Sequence, residues 1–283
     1  MRVLTFDIEE WFHILDNTST RTETEWARYE ARIQKNCERI LGILSDTGVR
    51  ATFFCLGWIA ERYPVVVRAI AERGYELASH SYRHQLAYEQ TRQEFSQDLE
   101  RSKKAIEDAT GVEVRAYRAP GFSVRPDNAW VFDCLVEQGI TVDCSIFPAD
   151  RAHGGFSEFG TARPAWIATR NGRLKEFPIN THTVFGKKFV FSGGGYFRLF
   201  PYSVLRAWTR RSPYFMGYFH PRDFDPEQPV IRELNTIRRF KSYYGLASAE
   251  EKLRRLIEDF EFTDLEGADA SVDWGRAPVV SLY

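Results

Sequence analysis

The stretch Val3-Leu4-Thr5-Phe6-Asp7-Ile8-Glu9-Glu10 places a short apolar strand directly before a group of acidic side chains. Further short apolar segments follow in the first half of the chain, and helical patterns lie between most of them. A strand, a helix and a second strand in this order fold into a parallel pair joined by a crossover. The candidate strands of this half are residues 3–8, 51–56, 75–79, 114–117 and 141–145.

The candidate helices carry apolar residues near a 3.6-residue period, and several of them end at a glycine. They cover residues 26–44, 63–73, 96–110, 128–138 and 249–262. Residues 174–179 and 216–220 add two later strands, which makes seven. The pattern predicts an α/β fold, and seven parallel strands indicate a distorted, incomplete (β/α) barrel instead of a regular eightfold one. The alternation is lost over residues 150–168 and 185–195, where we expect long loops or a small β insertion.

Length and charge restrict the class of protein. The chain has 283 residues, with 38 basic and 39 acidic side chains, and we expect one domain over residues 1–283, in which residues 185–283 carry the last strand and a C-terminal extension. The balanced charge gives no electrostatic reason to expect nucleic acid or an anionic membrane as a dedicated partner. The longest apolar stretch, residues 51–60, is too short to cross a bilayer, so no transmembrane segment is expected. The oligomeric state stays open.

Cysteine usage and the first residues bear on the compartment. The four cysteines are far apart and form no CxxC pair, which is typical of reduced thiols in or near a core. No signal peptide is recognisable after Met1. We therefore expect a cytoplasmic protein.

Ionisable residues follow the ends of five candidate strands. In a parallel α/β barrel the active site gathers at the C-terminal ends of the strands, so these residues are expected on one rim. They are found at residues 7–10, 80–84, 118–121, 143–145 and 220–223.

His80 and His84 are the candidate metal ligands of this rim. A spacing of four residues puts both imidazoles on one side of a helical turn. Two histidines and one carboxylate form a common catalytic zinc set, in which one position stays open for water. Glu9 is the candidate carboxylate, and Glu10 is its rival if the backbone leaves the strand at Ile8. The alternative is a pair of solvated loop histidines.

Asp7, Arg118 and His220 are the candidate catalytic residues. In an extended segment residues i and i+2 point the same way, so Asp7 and Glu9 can both face the barrel mouth. The guanidinium fork of Arg118 suits a carboxylate partner such as Asp7. His220 follows an apolar strand and is a candidate general acid. The residues that could orient it are Asp143, Arg222 and Asp223.

Taken in order, four motifs resemble those of the NodB-type polysaccharide deacetylases, carbohydrate esterase family four. The motifs are Thr5-Phe6-Asp7-Ile8-Glu9-Glu10, Ser79-His80-Ser81-Tyr82-Arg83-His84, Arg118-Ala119-Pro120-Gly121-Phe122-Ser123 and Phe219-His220-Pro221. The stretches at residues 84–91, 193–202 and 218–221 resemble a narrower subfamily whose members are often encoded near exopolysaccharide or O-antigen genes. The resemblance covers roughly residues 3–260 and implies the family's distorted barrel.

The resemblance implies a role for each candidate residue. Asp7 corresponds to the catalytic base, Arg118 to the residue that orients it, and His220 to the catalytic acid. Glu9, His80 and His84 correspond to the ligands of one divalent metal, zinc by preference, with cobalt, nickel and manganese as alternatives. Many family members carry adjacent aspartates in the first motif, whereas this chain has Asp-x-Glu-Glu, so the choice between Glu9 and Glu10 stays open.

The implied reaction is the metal-dependent removal of N-acetyl groups from an acetamido sugar of a bacterial polysaccharide or its precursor. Residues expected to contact this substrate are Trp11, Tyr82, Pro120, Phe122, Ser145 and Phe147. A backbone N–H of residues 145–148 is a candidate oxyanion donor. The alternatives are a catalytically silent carbohydrate-binding or scaffold protein and a hydrolase of a small non-sugar amide. A glycosidase is disfavoured because its carboxylate pair would leave the histidines unexplained.

Overall fold

The computed structural model describes residues 1–15, 17–149, 154–184 and 187–282. Its strands are β1 (Arg2–Ile8), β2 (Thr52–Cys55), β3 (Glu76–Ser79), β4 (Ala116–Tyr117), β5 (Val142–Asp143), β6 (Ala165–Thr169), β7 (Gly172–Glu176), β8 (His182–Val184), β9 (Lys187–Phe189), β10 (Phe215–Phe219) and β11 (Val279–Ser281). Its α-helices are α1 (Glu23–Trp26), α2 (Ile33–Thr47), α3 (Gly57–Arg62), α4 (Pro64–Glu72), α5 (Arg92–Thr110), α6 (Trp130–Glu137), α7 (Gly194–Leu199), α8 (Tyr202–Arg211), α9 (Thr236–Tyr243), α10 (Ala249–Asp259) and α11 (Leu265–Ser271).

Nine strands form one sheet in the order β10-β1-β2-β3-β4-β5-β7-β6-β11. The seven strands from β10 to β7 run parallel, whereas β6 pairs antiparallel with β7. Each of these seven parallel strands overlaps one of the candidate strands of the sequence. The order begins at β10 and ends at β11, and within the described residues no pairing of these two strands closes the sheet, as expected of an incomplete barrel. The expectation of an α/β fold of the distorted barrel type is therefore confirmed.

The central strands are buried on both faces, which explains why their sequences are almost continuously apolar. In β1 every residue after Arg2 is buried, and all four residues of β2 are buried. Because these strands run parallel, their C-terminal ends, where the polar residues begin, meet at one edge of the sheet.

Two helices begin at other positions than the sequence pattern predicts. The predicted helix over residues 26–44 begins only at Ile33, as α2, because the carboxylate of Glu10 accepts the backbone N–H groups of Arg32 and Ile33 and fixes the start of the helix there. Of the predicted residues before Ile33, only Trp26 is helical, as the last residue of α1. Helix α5 begins four residues earlier than expected, at Arg92, because Thr91 and Glu94 form a capping box.

The two segments expected to be long loops or a small β insertion contain short strands, in agreement with the second alternative. Residues 150–168 include strand β6, although residues 150–153 lie outside the described residues. The second segment, 185–195, contains β9 and the start of α7; β8 and β9 form a two-stranded antiparallel sheet, and residues 185 and 186 are not among those described. The four cysteines are free and buried. Among the helices of the described ranges, none combines the length and the apolar character that a membrane crossing requires.

Candidate active site

Strand register places the candidate residues side by side. Phe6 of β1 lies opposite Phe219 of β10, so the chain reaches Asp7 and His220 at neighbouring points of the same edge. Ser79 of β3 lies opposite Tyr117 of β4, so His80 and Arg118 also follow as neighbours. The sheet therefore brings the ends of β1, β3, β4 and β10 to one rim.

Glu9, His80 and His84 form a buried group whose three ligand atoms all lie within 4.8 Å of one another. His80 has its Nδ1 atom 2.8 Å from the carbonyl oxygen of Arg118, to which it donates a hydrogen bond, so its Nε2 atom keeps a lone pair for a metal. The Nε2 atom of His84 lies 2.5 Å from Oε2 of Glu9. Within the described residues, the buried Oε2 atom of Glu9 accepts no hydrogen bond of suitable geometry. A close contact of this kind without a hydrogen bond is expected when both atoms are ligands of one ion. This donor set fits a divalent metal such as zinc.

The protonation states of the group also fit a metal. Burial lowers the pKa of His80 to about 4, so its ring is neutral at pH 7, the state that binds a cation. Burial alone raises the pKa of Glu9, but the imidazoles of His84 and His220 outweigh this effect and hold the pKa below its usual range. Glu9 is therefore a carboxylate in this site.

The structure corrects the helical-turn explanation of the His80–His84 pair. The segment between them is an irregular loop, in which Ser81 and His84 have φ values of 69° and 54°. The Ser81 hydroxyl accepts a hydrogen bond from the backbone N–H of His84 and closes this tight turn. The two imidazole rings lie with their centroids 5.4 Å apart because of this turn, and not because of a helical repeat.

Glu10 is directed away from the imidazoles. Its Oε1 atom accepts hydrogen bonds from the backbone N–H groups of Arg32 and Ile33, at 2.8 Å and 3.0 Å. Burial raises the pKa of Glu10 to about 7. Of the two glutamates that the sequence left as rivals, Glu9 is the one that lies at the histidines, and Glu10 holds the N-terminus of α2.

Asp7 and Arg118 form a buried ion pair in which the Nη1 atom of Arg118 lies 2.6 Å from Oδ1 of Asp7. The same nitrogen donates to the hydroxyl of Thr5, and the guanidinium stacks over the ring of Phe54. Burial alone lowers the pKa of Arg118, but the adjacent Asp7 carboxylate outweighs it and raises the pKa above the usual value. The guanidinium of Arg118 therefore fixes the position of the Asp7 carboxylate.

His220 lies between two sets of carboxylates. Its Nδ1 atom is 3.1 Å from Oδ2 of Asp223, and its Nε2 atom is 3.2 Å from Glu9 and 3.8 Å from Asp7. Burial alone lowers the pKa of His220, but the carboxylates of Glu9, Asp223 and Asp7 raise it to about 9. The protonated ring can donate a proton from Nε2 toward the rim, while its Nδ1 atom donates a hydrogen bond to the carboxylate of Asp223.

Of the three residues that could orient His220, Asp223 makes the contact. Asp143 instead accepts hydrogen bonds from the hydroxyl and the backbone N–H of Ser145. The guanidinium of Arg222 lies over the ring of Tyr243, 5.6 Å from its centroid.

All six residues expected to contact the substrate are buried in this structure, and Trp11 and Tyr82 also have their polar atoms engaged within the protein. Trp11 is 3% exposed and donates its indole N–H to the carbonyl of Glu30, and Tyr82 is 2% exposed and donates its hydroxyl to Glu61. Because their rings are enclosed by protein, neither presents a face to a sugar in this structure.

Pro120 is buried in the turn that follows Arg118, and Phe122 follows it in a left-handed conformation with φ 54°. The Phe122 ring packs on Phe147 and Tyr218, with centroids 5.7 Å and 5.1 Å away, and lies 5.6 Å from the Arg118 guanidinium. Phe122 and Phe147 therefore belong to the apolar wall beside the buried ion pair.

Ser145 is hydrogen-bonded to residues at or after the ends of β4 and β5, at the rim. Its hydroxyl donates to Asp143 at 2.7 Å and accepts the backbone N–H of Ala119 at 2.8 Å. The backbone N–H groups of Ser145 and Ile146 donate to the carboxyl groups of Asp143 and Glu176. These two N–H groups are therefore engaged and do not act as oxyanion donors in this structure.

Two residues of the site carried no expectation from the sequence. His13 is 4% exposed, its ring lies 5.7 Å from that of His84, and its Nδ1 atom accepts the backbone N–H of Glu10. The buried Arg198 lies with its Nε atom 3.2 Å from Oδ1 of Asp223. The available signals were the position of His13 directly after the acidic motif and that of Arg198 within the glycine-rich stretch 193–202.

Comparison with known proteins agrees with this geometry. The family model described as polysaccharide deacetylase matches residues 3–132, and the model described as a domain of unknown function, DUF3473, matches residues 144–269. A peptidoglycan-N-acetylglucosamine deacetylase of Bacillus cereus is 29% identical over 82 residues, which are 29% of this chain and 30% of that protein. The chain thus matches less than a third of the length of that relative.

Two solved structures show the same fold. A protein of Mycobacterium smegmatis described as a polysaccharide deacetylase is 21% identical, with a TM-score of 0.69 over 99% of this chain and 92% of that chain. A CE4 family pseudoenzyme of Bacillus anthracis is 16% identical, with a TM-score of 0.52 over 94% of this chain and 64% of that chain. The family model described as polysaccharide deacetylase thus matches the part of the chain that carries Asp7, the candidate metal ligands and Arg118, and the DUF3473 model matches the part that carries His220 and Asp223.

Proposed function

We propose that this protein is a metal-dependent hydrolase that removes N-acetyl groups from an acetamido sugar of a bacterial polysaccharide or its precursor. The observation that carries the proposal is the meeting of three arrangements at one buried edge. They are the Glu9–His80–His84 group, the Asp7–Arg118 ion pair and the His220–Asp223 pair. The first can hold a metal, and the others supply a base and an acid on the same rim. His220 and Asp223 follow β10, whereas the other groups lie at or after the ends of β1, β3 and β4, so the proposed deacetylase needs residues from both matched regions as one catalytic domain.

A divalent cation held by Glu9, His80 and His84, zinc by preference, would polarise the acetamide carbonyl and lower the pKa of a bound water. Asp7 lies within reach of this position and accepts a proton from the attacking water. Arg118 holds the Asp7 carboxylate in place and compensates its charge within the core. His220 donates the proton that the departing amine needs, and acetate is released.

Asp223 keeps His220 suited to this role. Its carboxylate accepts from Nδ1, so the proton that faces the rim is the one on Nε2. Phe122 and Phe147 enclose the Asp7–Arg118 side with apolar surface, which strengthens the electrostatic interactions there.

The main alternative function is that of a catalytically silent carbohydrate-binding or scaffold protein. The pseudoenzyme of the same fold supports this alternative. Pure binding requires neither the Asp7 carboxylate nor the His220 imidazole, yet both lie beside the metal group. A hydrolase of a small non-sugar amide is the second rival, and only the choice of substrate separates it from the proposal.

Acetate release from zinc-loaded protein tests the proposal. The acetylated substrates are N-acetylglucosamine oligosaccharides and a nucleotide-linked N-acetyl sugar. Small cyclic or formyl amides, which release no acetate, are followed in parallel by the loss of the starting amide. We expect acetate from a saccharide, and a loss of about 10²–10⁴-fold in rate for Asp7→Asn. The control is Asp108→Asn, an exposed aspartate of α5 that pairs with Lys104, which should keep the wild-type rate. Equal rates for Asp7→Asn and the wild type, or hydrolysis of the small amides alone, contradict the proposal.

A further inference from the structure

Exposed apolar side chains are concentrated in one part of the chain. Of the nine large apolar residues that are exposed in the described ranges, six lie between positions 196 and 244. They are Tyr196, Leu199, Val230, Ile237, Phe240 and Tyr244. A cluster of this kind on an otherwise charged surface is typical of an interaction site.

Helices α7 and α9, which carry most of these side chains, are held side by side. Arg198 of α7 donates hydrogen bonds to the backbone carbonyls of Lys241, Ser242 and Tyr244 at the end of α9. The rings of Phe240 and Tyr244 lie with their centroids 4.8 Å apart. We refer to the six apolar residues named above, with the exposed cations of α9, as the α7–α9 surface.

The apolar side of α9 faces outward. Ile237, Phe240 and Tyr244 follow one another at the spacing of one helix face, and Ile237 is 70% exposed. No residue of α9 is buried. The contacts with the rest of the protein come from the other side, where Arg238 donates to the carbonyl of Leu15 and the hydroxyl of Tyr243 accepts the backbone N–H of Ile231. A helix with this orientation leaves its apolar face available to a partner.

The charge of this region identifies the kind of partner. Residues 228–245 contain four basic residues and one acidic residue, a net charge of +3, within a chain whose net charge is -1. Arg232, which precedes α9, and Arg239 and Lys241 of α9 are exposed. Exposed aliphatic and aromatic side chains flanked by cations are typical of helices that lie in the headgroup region of an anionic bilayer. A saccharide fits less well, because Leu199, Val230 and Ile237 offer it no hydrogen bonds.

We propose that the α7–α9 surface docks the protein on an anionic phospholipid bilayer. The surface is connected to the candidate active site, because Arg198 also contacts Asp223, the partner of His220. Docking would therefore bring the catalytic rim close to the membrane. The consequence, which rests on the proposed function, is that the substrate class is an acetylated saccharide attached to a membrane lipid.

Co-sedimentation of the full chain with vesicles tests the docking without reference to catalysis. We expect binding to vesicles that contain phosphatidylglycerol, much weaker binding to phosphatidylcholine vesicles, and a decrease as the salt concentration rises. The double variants Ile237→Ser/Phe240→Ser and Arg239→Glu/Lys241→Glu should each bind at least about tenfold more weakly. The matched control, Val65→Ser/Val112→Ser, removes exposed apolar groups elsewhere and should bind like the wild type.

The outcomes are separable from those of the deacetylase assay. Circular dichroism checks that each variant is folded, and Ile237→Ser/Phe240→Ser should keep the wild-type rate of acetate release from a water-soluble saccharide. The docking proposal is overturned if no vesicle is bound or if the α9 variants bind as well as the wild type. It is also overturned if light scattering shows a wild-type dimer that Ile237→Ser/Phe240→Ser dissociates, because the surface would then join two copies.

Discussion

The guanidinium of Arg118 lies 2.6 Å from the carboxylate of Asp7, and their side chains are 0% and 3% exposed. Two opposite charges withdrawn from water depend on each other, because either one alone would be a buried and uncompensated charge. This dependence distinguishes Asp7 from an ordinary surface aspartate and leads to the first prediction.

Replacement of Arg118 by methionine should destabilise the protein by about 3–5 kcal/mol, because Asp7 is left buried without its cation. The double variant Asp7→Asn/Arg118→Met should recover a large part of this loss, since it buries no charge. Urea unfolding of the wild type, the single variants and the double variant measures the coupling. A loss below about 1 kcal/mol for Arg118→Met would show that the pair does not hold Asp7.

Zinc should raise the thermal midpoint of unfolding, because an ion that binds only the folded state stabilises it by mass action. At a free zinc concentration 100 times the Kd the expected gain is about 2.7 kcal/mol. His84→Ala should lose most of this shift, since His84 supplies one of three ligand atoms. The control variant His182→Ala, which removes a histidine of β8, should keep the zinc-induced shift of the wild type. A shift of equal size in His84→Ala and the wild type would place the metal elsewhere.

Asp223→Asn should lower kcat by about 10²-fold, within the range that general acid catalysis supplies, and leave KM and zinc affinity nearly unchanged. The reason is that Asp223 contacts His220 at 3.1 Å but is not among the three grouped ligand residues. Steady-state kinetics and zinc titration distinguish these effects. A parallel loss of zinc affinity would mean that the substitution disturbs the metal group and not the orientation of His220.

The titration of Glu76 should make the free energy of unfolding decrease as the pH rises. Its Oε2 atom accepts hydrogen bonds from the Thr52 hydroxyl and from the backbone N–H of Glu266, and burial raises its pKa from 4.5 to about 7. Between these two values the folded state binds more protons than the unfolded state, so the free energy of unfolding decreases from pH 4.5 to pH 7 and then levels off.

The substitution Glu76→Gln keeps an acceptor oxygen and removes the titration, so its thermal midpoint should depend less on pH between 5 and 8 than that of the wild type. Glu100→Gln, at an exposed position of α5, is the matched control and should reproduce the wild-type slope. An unchanged slope in Glu76→Gln would assign the pH dependence to other buried carboxyl groups.

Gly193→Ala should destabilise the protein strongly, because the added Cβ would collide with the backbone carbonyl of Tyr218 in β10, two residues before His220. Gly42→Ala in α2 is the matched control: its Cβ meets nothing within 4 Å, and the change should stabilise by roughly 0.5–1 kcal/mol. Chemical unfolding measures both. Equal effects of the two substitutions would show that the close approach of Gly193 to β10 is not needed.

Much of the fold could be read from local patterns. The seven parallel strands were recognisable because central strands of a parallel sheet are buried on both faces and are therefore apolar throughout. The helices α7 and α9 were not predicted, since they are only six and eight residues long and carry few buried side chains. Their positions follow from Arg198 and its backbone contacts, which no local pattern reveals.

The sequence by itself determined which residues stand at the strand ends, and therefore that Asp7, His80, Arg118 and His220 meet at one edge of a parallel sheet. Only the tertiary structure decided the contacts within that edge. It directs Glu9 and not Glu10 toward the histidines, it turns the His80–His84 loop through left-handed residues, and it chooses Asp223 as the partner of His220. The physical reason is that strand order and burial follow from the type of residue along the chain, whereas the direction of a side chain depends on backbone turns and on hydrogen-bond partners that are distant in sequence.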